Sequence, residues 1–487
     1  MSDIIRQLAP QAVWTHFADL NAVPRPSKKE DRVIAFMKDF GQQLGLETFE
    51  DDIRNVIIRK PATPGMENRK AVVLQGHLDM VHQKNNDTVF DFDTQGIDMY
   101  VDGDWVRAKG TTLGADNGLG VAAIMAVLSS TDLAHPAIEA LFTIDEETGM
   151  TGALNLKGGI LQGQILLNLD TEEDDEIDIG CAGGVDVTAE ALYDEETVEP
   201  HFVGYALTIK GLQGGHSGMD IHKGLGNANK LMNRLLFLAF EDFDVRLSQL
   251  HGGSLRNAIP RESEAIVVIS PTFEEAFLAD WDQWTTEILQ EYKTVEPQLQ
   301  ISCTRLDSCP TQVMPNLAQQ HFLRALYAAH NGVYRMSPDF DGLVETSNNI
   351  AKVTVESGRV LVQCLTRSSV ETSKMDLAQA LRSAFELMGA EVSFSGSYPG
   401  WTPNPNSEIL EVLKAIYQKQ QGAEPRVVAC HAGLECGILG TNYPHMDMIS
   451  FGPTIHGAHS PDERASISST QKFWSFLVEI LASIPSK

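Results

Sequence analysis

The sequence has few cysteines and no arrangement that would pair them. Six cysteines are scattered over 487 residues, and none forms the C-x-x-C spacing of a structural zinc site or a redox pair. A long chain without a disulfide framework is typical of a reducing compartment. The sequence therefore argues against a disulfide-stabilised secreted fold and predicts free thiols.

Positive charge is also scarce. Lys and Arg number 37 against 66 Asp and Glu, which gives a formal net charge of −29. A surface this acidic repels phosphate backbones and anionic lipid headgroups. We therefore expect neither nucleic acid nor a membrane as a partner.

Long hydrophobic runs are absent as well. The longest apolar stretch, around Leu119 to Leu128, is too short to span a bilayer. The first residues, MSDIIRQLAP, lack a basic segment followed by an apolar run, so no signal peptide is expected and the predicted location is cytoplasmic. Hydrophobic residues make up 43% of the chain and charged residues 21%, which is ordinary globular composition. The length favours two or three domains.

Two patterns of secondary structure divide the chain. The first third alternates strand-like and helix-like segments, with continuously apolar strands, as inside an α/β sheet. From about Val185 the pattern changes. Tyr205 to Lys210 alternates as a half-buried strand, and two strand–helix sets with pairs that look antiparallel indicate α+β. We predict an α/β catalytic domain formed by residues 1–185 and 397–487, with an α+β domain, 186–396, inserted into it.

Side chains that could bind a metal follow several of the predicted strands. Ligand sites in open α/β sheets gather beyond the carboxyl ends of the strands. The candidates at these ends, and at the loop that opens the buried helix from Gly118, are His77, Asp79, Asp116, Glu146, Glu147, Asp170 and His459. We expect five separate segments to deliver nitrogen and oxygen ligands to one edge of one sheet.

Imidazole and carboxylate ligands without thiolate favour a hydrolytic zinc site, or a site for another divalent ion such as Co²⁺ or Mn²⁺, over a structural zinc. Asp116, Glu147 and Asp170, with a bridging hydroxide, would balance the charge of two Zn²⁺ ions. A bridging carboxylate can hold two metals about 3.5–4 Å apart, the spacing used in two-metal hydrolysis. Asp79, two residues after His77, is placed to accept the other ring N–H of that histidine.

Each of these motifs is weak in isolation. An H-x-D triplet occurs by chance, and an Asp-Glu-Glu run in an acidic protein is usually a solvated turn. The acidic run from Asp170 to Asp178 is expected to be a solvated loop in which only Asp170 has a role. Calcium capture by that loop is the alternative, although it lacks the glycine and spacing of an EF-hand. The joint occurrence at successive strand ends favours the metal site.

The motifs also resemble those of a known family. These segments are similar to the dinuclear zinc peptidase family that includes glutamate carboxypeptidases, the aminotripeptidase and bacterial dipeptidases: GHLDMV, GTTLGADNGLG, DEETGM, NLDTEE and HGAHSPDE. A second set resembles the aminoacylhistidine (Xaa-His) dipeptidase branch of that family: GCAGG, KGLQGGHSG, LRNAIPRE, VETSNN and HAGLECG. The resemblance covers nearly the whole chain.

The resemblance implies a role for each matching residue. It assigns Asp116 as the metal bridge, His77 and Asp170 as ligands of one ion, and Glu147 and His459 as ligands of the other. Glu146 matches the general base and Asp79 the group that orients His77. His216 resembles a lid histidine that steadies the oxyanion, while Asn257 and Arg367 resemble lid residues at the substrate carboxylate and Glu435 is expected near the free amine. A homodimer and small peptide substrates are implied as well.

The expected mechanism follows from the metal site. Metal lowers the pKa of bound water to about 7, and Glu146 would accept the remaining proton and pass it to the leaving amine. The predicted activity is hydrolysis of unblocked dipeptides, including Xaa-His dipeptides, with two Zn²⁺ per chain. A related amidohydrolase acting on N-acyl amino acids or tripeptides is the first alternative. A non-catalytic metal-binding protein is the second, disfavoured because Glu146 is not needed to hold metal.

Overall fold

The computed structural model describes residues 2–85, 87–404, 406–431 and 433–487. One residue of the HAGLECG motif, Ala432, lies outside the described residues. The helices are α1 Ser2–Ile5, α2 Gln11–Asn21, α3 Asp31–Gln43, α4 Ala115–Ser129, α5 Glu146–Gly149, α6 Thr151–Asn155, α7 Ala228–Phe243, α8 Glu274–Tyr292, α9 Asn316–Ala328, α10 Glu371–Glu386, α11 Glu408–Gln421, α12 Glu435–Asn442 and α13 Ile467–Ser483, with a short 3₁₀ helix at Ile221–Lys223.

The strands are, in chain order, β1 Glu47–Glu50, β2 Val56–Lys60, β3 Val72–His77, β4 Met99–Asp102, β5 Trp105–Ala108, β6 Ile138–Thr143, β7 Ile165–Asn168, β8 Glu176–Cys181, β9 Gly183–Leu192, β10 Glu196–Thr197, β11 Val203–Lys210, β12 Gly215–His216, β13 Arg246–Gly252, β14 Ala258–Ile259, β15 Ser263–Ile269, β16 Gln300–Arg305, β17 Gln312–Val313, β18 Gly332–Met336, β19 Val344–Glu356, β20 Arg359–Ser368, β21 Glu391–Tyr398, β22 Arg426–Cys430, β23 Asp447–Ser450, β24 Ile455–His456 and β25 Arg464–Ser466.

The chain divides into two compact units. The first unit comprises residues 1–180, 401–429 and 434–487, and the second comprises residues 181–400 and 430–433. The sequence placed the corresponding boundaries at 185 and 397 and did not anticipate the short return of the chain at 430–433. The assignment of the inserted part as a lid stays a prediction.

The first unit is built on an eight-stranded sheet with the order β1-β2-β6-β3-β7-β23-β8-β22. Strands β6, β3, β7 and β23 run parallel to one another at its centre, which confirms the predicted α/β class. Every residue of β3, β6 and β7 is buried, as expected for inner parallel strands covered on both faces. A smaller sheet with the order β24-β25-β5-β4 completes this unit.

Helix α4 lies against the central strands because its residues are small. Its residues from Gly118 to Leu128 are all buried, as their apolar composition predicts. A Cβ atom at Gly120 would stand 2.3 Å from the carbonyl oxygen of Leu169, so only glycine allows this approach. Asp116 and Asn117 have non-helical backbone angles, and the regular helix therefore begins after them.

The second unit has an antiparallel sheet with the order β16-β11-β15-β13-β19-β20-β9-β21, in which β18 also pairs with β19. The side chains of α7, α8, α9 and α10 form one apolar core with those of the sheet. Strand β9 changes from fully buried at its start to alternating burial towards its end. This is the α+β arrangement predicted from the two strand–helix sets.

The acidic run after β7 differs from the prediction. Residues 176–181 form β8, and Asp178, only 5% exposed, accepts a hydrogen bond from Thr171 Oγ1 at 2.8 Å. Burial raises the pKa of Glu172 to about 8, with Asp116 adding to the shift. The expectation of a solvated loop in which only Asp170 has a role was wrong, because β8 pairs with β23 and carries the run into the sheet.

No helix within the described ranges is both long enough and apolar enough to cross a bilayer.

Candidate metal centre

Three parallel strands bring three of the five predicted ligand segments to one edge. In the register of the first unit, Val72 of β3 lies opposite Ile138 of β6 and Ile165 of β7. His77 is the last residue of β3, while Glu146 and Glu147 follow the end of β6 and Asp170 follows the end of β7. Because these strands run in the same direction, their carboxyl ends place the side chains together.

Asp116 occupies the middle of the cluster. Its Oδ1 lies 3.1 Å from Nε2 of His77, and its Oδ2 lies 3.2 Å from Nε2 of His459. The two oxygens of one carboxylate thus face two different imidazoles. This is the arrangement that a carboxylate bridging two ions requires.

The remaining ligands complete two groups around Asp116. Asp170 Oδ1 lies 3.6 Å from Nε2 of His77, and Glu147 Oε2 lies 3.0 Å from Nε2 of His459. The ligand atoms of each group lie within 4.8 Å of one another. Ligand atoms bound about 2.0–2.2 Å from a tetrahedral ion are separated by about 3.3–3.6 Å.

The polar atoms of the cluster fit a pair of cations. Glu147 Oε1 and Asp170 Oδ1 are buried without a hydrogen-bond partner. An unsatisfied buried carboxylate oxygen is costly, and a bound cation would remove that cost. Nitrogen and oxygen donors without thiolate suit zinc in a hydrolytic site. The residues therefore fit the implied metal.

The imidazoles and carboxylates of this cluster shift one another's pKa values. Hydrogen bonds to Asp116 and Glu147 raise the pKa of His459 to about 11. Burial opposes ionisation of Asp116, but the two imidazoles that contact it hold the pKa of its carboxyl below the ordinary value. Burial, with the neighbouring carboxylates, raises the pKa of Asp170 well above its usual range. Metal binding is therefore expected to release protons and to weaken as the pH falls.

Asp79 contacts His77 and also the backbone of Glu146 and Glu147. Nδ1 of His77 lies 3.2 Å from the carbonyl oxygen of Asp79 and 3.4 Å from its Oδ1. The same carboxylate accepts hydrogen bonds from the backbone N–H groups of Glu146, at 3.0 Å, and Glu147, at 3.3 Å. The sequence predicted that the Asp79 carboxylate contacts the ring of His77. In the structure it also accepts two backbone hydrogen bonds.

Glu146 lies in the same cluster, where its carboxylate has no hydrogen-bond donor among the described side chains. Its Oε2 is 4.0 Å from Nε2 of His77. Burial raises the pKa of its carboxyl well above the ordinary value, and Glu435 and Glu147 contribute to the shift. The short helix α5 that carries it is flanked by Asp145 and Met150, both with positive φ angles. This carboxyl is therefore easier to protonate than that of an exposed glutamate.

Glu435 already has partners in the first unit. It is 1% exposed, and its Oε2 accepts hydrogen bonds from Gln75 Nε2 at 2.6 Å and Thr143 Oγ1 at 2.7 Å. Burial raises the pKa of its carboxyl to about 7. These contacts give no support to a role with the substrate amine, which stays a prediction.

His216 belongs to the second unit, on β12. Its Nδ1 accepts hydrogen bonds from the backbone N–H groups of Gly218 and Met219, at 3.2 and 3.1 Å. Burial and the positive charge of Arg367 lower the pKa of the imidazole to about 4. At neutral pH the ring is therefore uncharged, with its proton on Nε2.

Arg367 and Asn257 are also in the second unit. Arg367 is 5% exposed, its Nη1 donates to the Tyr398 hydroxyl at 2.8 Å, and its Nε is buried without a partner. The backbone carbonyl of Asn257 accepts the N–H of Ser217 at 2.8 Å, and the side chain of Asn257 is exposed. The Arg367 guanidinium therefore has an N–H group that could donate to an anion. The backbone hydrogen bond of Asn257 holds Ser217, the residue after His216.

Comparison with known proteins decides the family. The model of "Peptidase family M20/M25/M40" matches residues 73–483. The chain belongs to this peptidase family. It is 44% identical over 485 residues to the cytosol non-specific dipeptidase of Escherichia coli K12, which covers 99% of both chains.

Two solved structures resemble this chain. The chain matches the aminoacylhistidine dipeptidase of Vibrio alginolyticus with a TM-score of 0.94 and 44% identity, covering 100% of both chains. A tripeptidase from Staphylococcus aureus matches with a TM-score of 0.57 and 16% identity over 98% of this chain and 99% of that one, which shows the fold alone. The chain is therefore a peptide-bond hydrolase with the M20 fold.

Ser347 and His431 of this M20 peptidase lie beside His216 and Arg367 in the second unit, and neither was assigned a role from the sequence. His431 is 7% exposed and its Nε2 lies 2.8 Å from Ser347 Oγ. Burial, with the positive charge of Arg367, lowers the pKa of His431 to about 3. The motifs VETSNN and HAGLECG contain these two residues, but only the folded chain pairs them.

The buried His431 predicts a pH dependence of stability. Its pKa is about 3 in the folded chain against an ordinary 6.5, so the unfolded chain binds the extra proton. Its contribution is present above pH 6.5 and is lost as the pH falls towards 3. Replacing His431 by Gln is expected to flatten the decline of the urea midpoint between pH 6.5 and 4. Equal declines in the two proteins would contradict the prediction.

Proposed function

We propose that this M20 peptidase is a zinc dipeptidase that hydrolyses unblocked dipeptides, Xaa-His dipeptides among them. The observation that carries the proposal is the position of Asp116, whose two oxygens face His77 and His459. The names of the two relatives that are 44% identical over nearly the whole chain support a dipeptide substrate. The name of the Escherichia coli relative also supports a cytoplasmic location.

The proposed ligands are His77 and Asp170 for one ion, Glu147 and His459 for the other, and Asp116 between them. When bound, the two ions would lower the pKa of a water molecule and polarise the scissile carbonyl. Asp79 would keep the ring of His77 oriented through the Nδ1 contacts at 3.2 and 3.4 Å. Only His77, Glu147 and Asp170 come from the carboxyl ends of the eight-stranded sheet. Asp116 lies at the start of α4, and His459 lies between β24 and β25 of the smaller sheet, so the expectation that five segments reach one edge of one sheet was wrong for these two.

Glu146 is proposed to move the protons of the reaction. Its carboxyl would first accept a proton from the attacking water and then donate it to the nitrogen of the leaving amine. The hydrogen bond from the backbone N–H of Glu146 to Asp79 fixes the segment that carries it. Burial raises the pKa of this carboxyl well above its ordinary value, which favours the protonated form that it would take between the two steps.

The roles of the second-unit residues are also proposals. His216 has a neutral ring whose Nε2 proton is available for a developing oxyanion, since Nδ1 is engaged by the backbone. Arg367 is proposed to bind the substrate carboxylate. The proposal is supported by its buried Nε, which has no hydrogen-bond partner. Three further proposals rest on the family resemblance alone. Asn257 would lie at the substrate carboxylate, Glu435 would lie near the free amine, and the protein would assemble as a homodimer.

A substrate panel with and without chelator tests the proposal. Free dipeptides, including Xaa-His dipeptides, are compared with N-acetylated dipeptides, N-acyl amino acids and tripeptides as substrates. We expect free dipeptides to be hydrolysed fastest, activity to be lost on chelation and activity to return with Zn²⁺, Co²⁺ or Mn²⁺. Faster turnover of N-acyl amino acids or tripeptides would support the related amidohydrolase instead.

A further inference from the structure

The loop that carries Asp116 is held from one side by a buried glutamate. Glu463 is 2% exposed, and its Oε2 accepts the backbone N–H groups of Leu113 at 2.6 Å and Gly114 at 2.9 Å. Its Oε1 accepts the N–H groups of Ala115 at 2.8 Å and Asp116 at 3.3 Å. One carboxylate thus holds four successive amides, which leaves little freedom in the backbone of Asp116.

A buried arginine binds the same loop through a carbonyl. Arg25 is 1% exposed, and its Nη2 donates to the carbonyl of Gly114 at 2.5 Å and to Asn21 Oδ1 at 3.0 Å. Its Nη1 donates to the carbonyls of Leu78, at 3.1 Å, and Asp79, at 3.0 Å. The guanidinium therefore connects the loop of Asp116 with the loop that follows His77.

The local backbone is shaped for these two partners. Gly114 has a φ of 69°, and a Cβ atom there would stand 2.6 Å from Nη2 of Arg25. Positive φ without a side chain is available only to glycine at low cost. Consecutive amides turned to one side form a concave site for an anion, and here a carboxylate of the chain itself fills it.

We propose that Glu463 and Arg25 are positioning residues that preset the distance between the Asp116 carboxylate and His77 for a pair of metal ions. Neither residue belongs to the proposed ligand set, and each acts through the backbone of a loop that carries a ligand. The proposal rests on the proposed two-metal function. Removing groups that support metal ligands lowers metal affinity by about 10–100-fold in other proteins.

The test compares Glu463→Gln with Asp462→Asn, which neutralises the neighbouring exposed carboxylate. Zn²⁺ affinity and stoichiometry are measured by chelator competition, Co²⁺ binding by its d–d absorption, and hydrogen exchange at the amides of residues 113–116. A glutamine offers one acceptor oxygen and directs an NH₂ group at the remaining amides. We expect Zn²⁺ affinity to fall by about 10–100-fold, the Co²⁺ spectrum to change and these amides to exchange faster, while Asp462→Asn behaves as wild type.

The outcomes separate the inference from the proposed function. Wild-type protein that binds no divalent ion would overturn both. Wild-type protein that binds two ions, together with a Glu463→Gln variant that keeps its Zn²⁺ affinity within twofold and its Co²⁺ spectrum, would overturn the inference alone. If the glutamine variant does not fold, Arg25→Lys is measured in the same way. That variant keeps the charge but loses the forked donors, so wild-type affinity in it would also overturn the inference.

Discussion

Replacing Glu146 by Gln is expected to lower kcat by about 10²–10⁴-fold while the zinc content stays at the wild-type level. Glutamine has nearly the shape of glutamate but cannot accept a proton from water or return one to the amine. Glu146 Oε2 lies 4.0 Å from Nε2 of His77, and the residue is not needed to complete either group of ligands around Asp116. The effect should therefore fall on turnover and not on metal binding.

The measurement combines steady-state kinetics on a free dipeptide with metal analysis of the same preparation. Glu147→Gln is the matched control, because the neighbouring carboxylate is a proposed ligand and its loss should reduce both turnover and zinc content. Substantial turnover in a zinc-replete Glu146→Gln protein would show that another group transfers the proton.

Zinc is expected to raise the free energy of unfolding by about 4 kcal/mol when its free concentration is 1,000 times its Kd. The physical reason is that the ions bind the folded carboxylate cluster and not the unfolded chain. In Asp116→Ala this increment should largely disappear, because the carboxylate that faces both imidazoles is gone.

Urea unfolding of metal-free protein, with and without buffered Zn²⁺, gives the increment directly. Asp132→Asn, which removes an exposed carboxylate, serves as the control and should keep the full stabilisation. An Asp116→Ala protein stabilised by zinc as much as wild type would mean that the ions bind elsewhere. Both experiments use the full chain.

Side-chain periodicity was sufficient to predict most of the architecture. The helix expected from Gly118 to Leu128 is present because eleven small and apolar residues without a polar face have no stable position except inside the sheet layer. Three of the proposed ligand segments were predicted for a similar reason, since polar residues at the ends of the buried strands β3, β6 and β7 emerge at one edge. The assignments of ligands and roles stay proposals.

The acidic run and Glu463 were misjudged for one reason: both pair with residues that are distant in the chain. The run from Asp170 to Asp178 looked solvated because seven of its nine residues are acidic. Its last residues are nevertheless drawn into β8, where Ser450 of β23 lies opposite Asp178. Glu463 was read only as part of a motif, because its four amide partners lie about 350 residues earlier in the chain.

The sequence by itself determined the α/β class of the first unit, the acidic solubility-favouring surface and the set of nitrogen and oxygen donors, because these depend on composition and on local periodicity. Only the tertiary structure decided which oxygen of Asp116 faces which imidazole, how Glu463 and Arg25 hold the loop between them, and that Glu435 is bound by Gln75 and Thr143. Those features are contacts between residues distant in the chain. Their geometry is fixed by how the strands and loops pack, and it cannot be predicted from local sequence patterns.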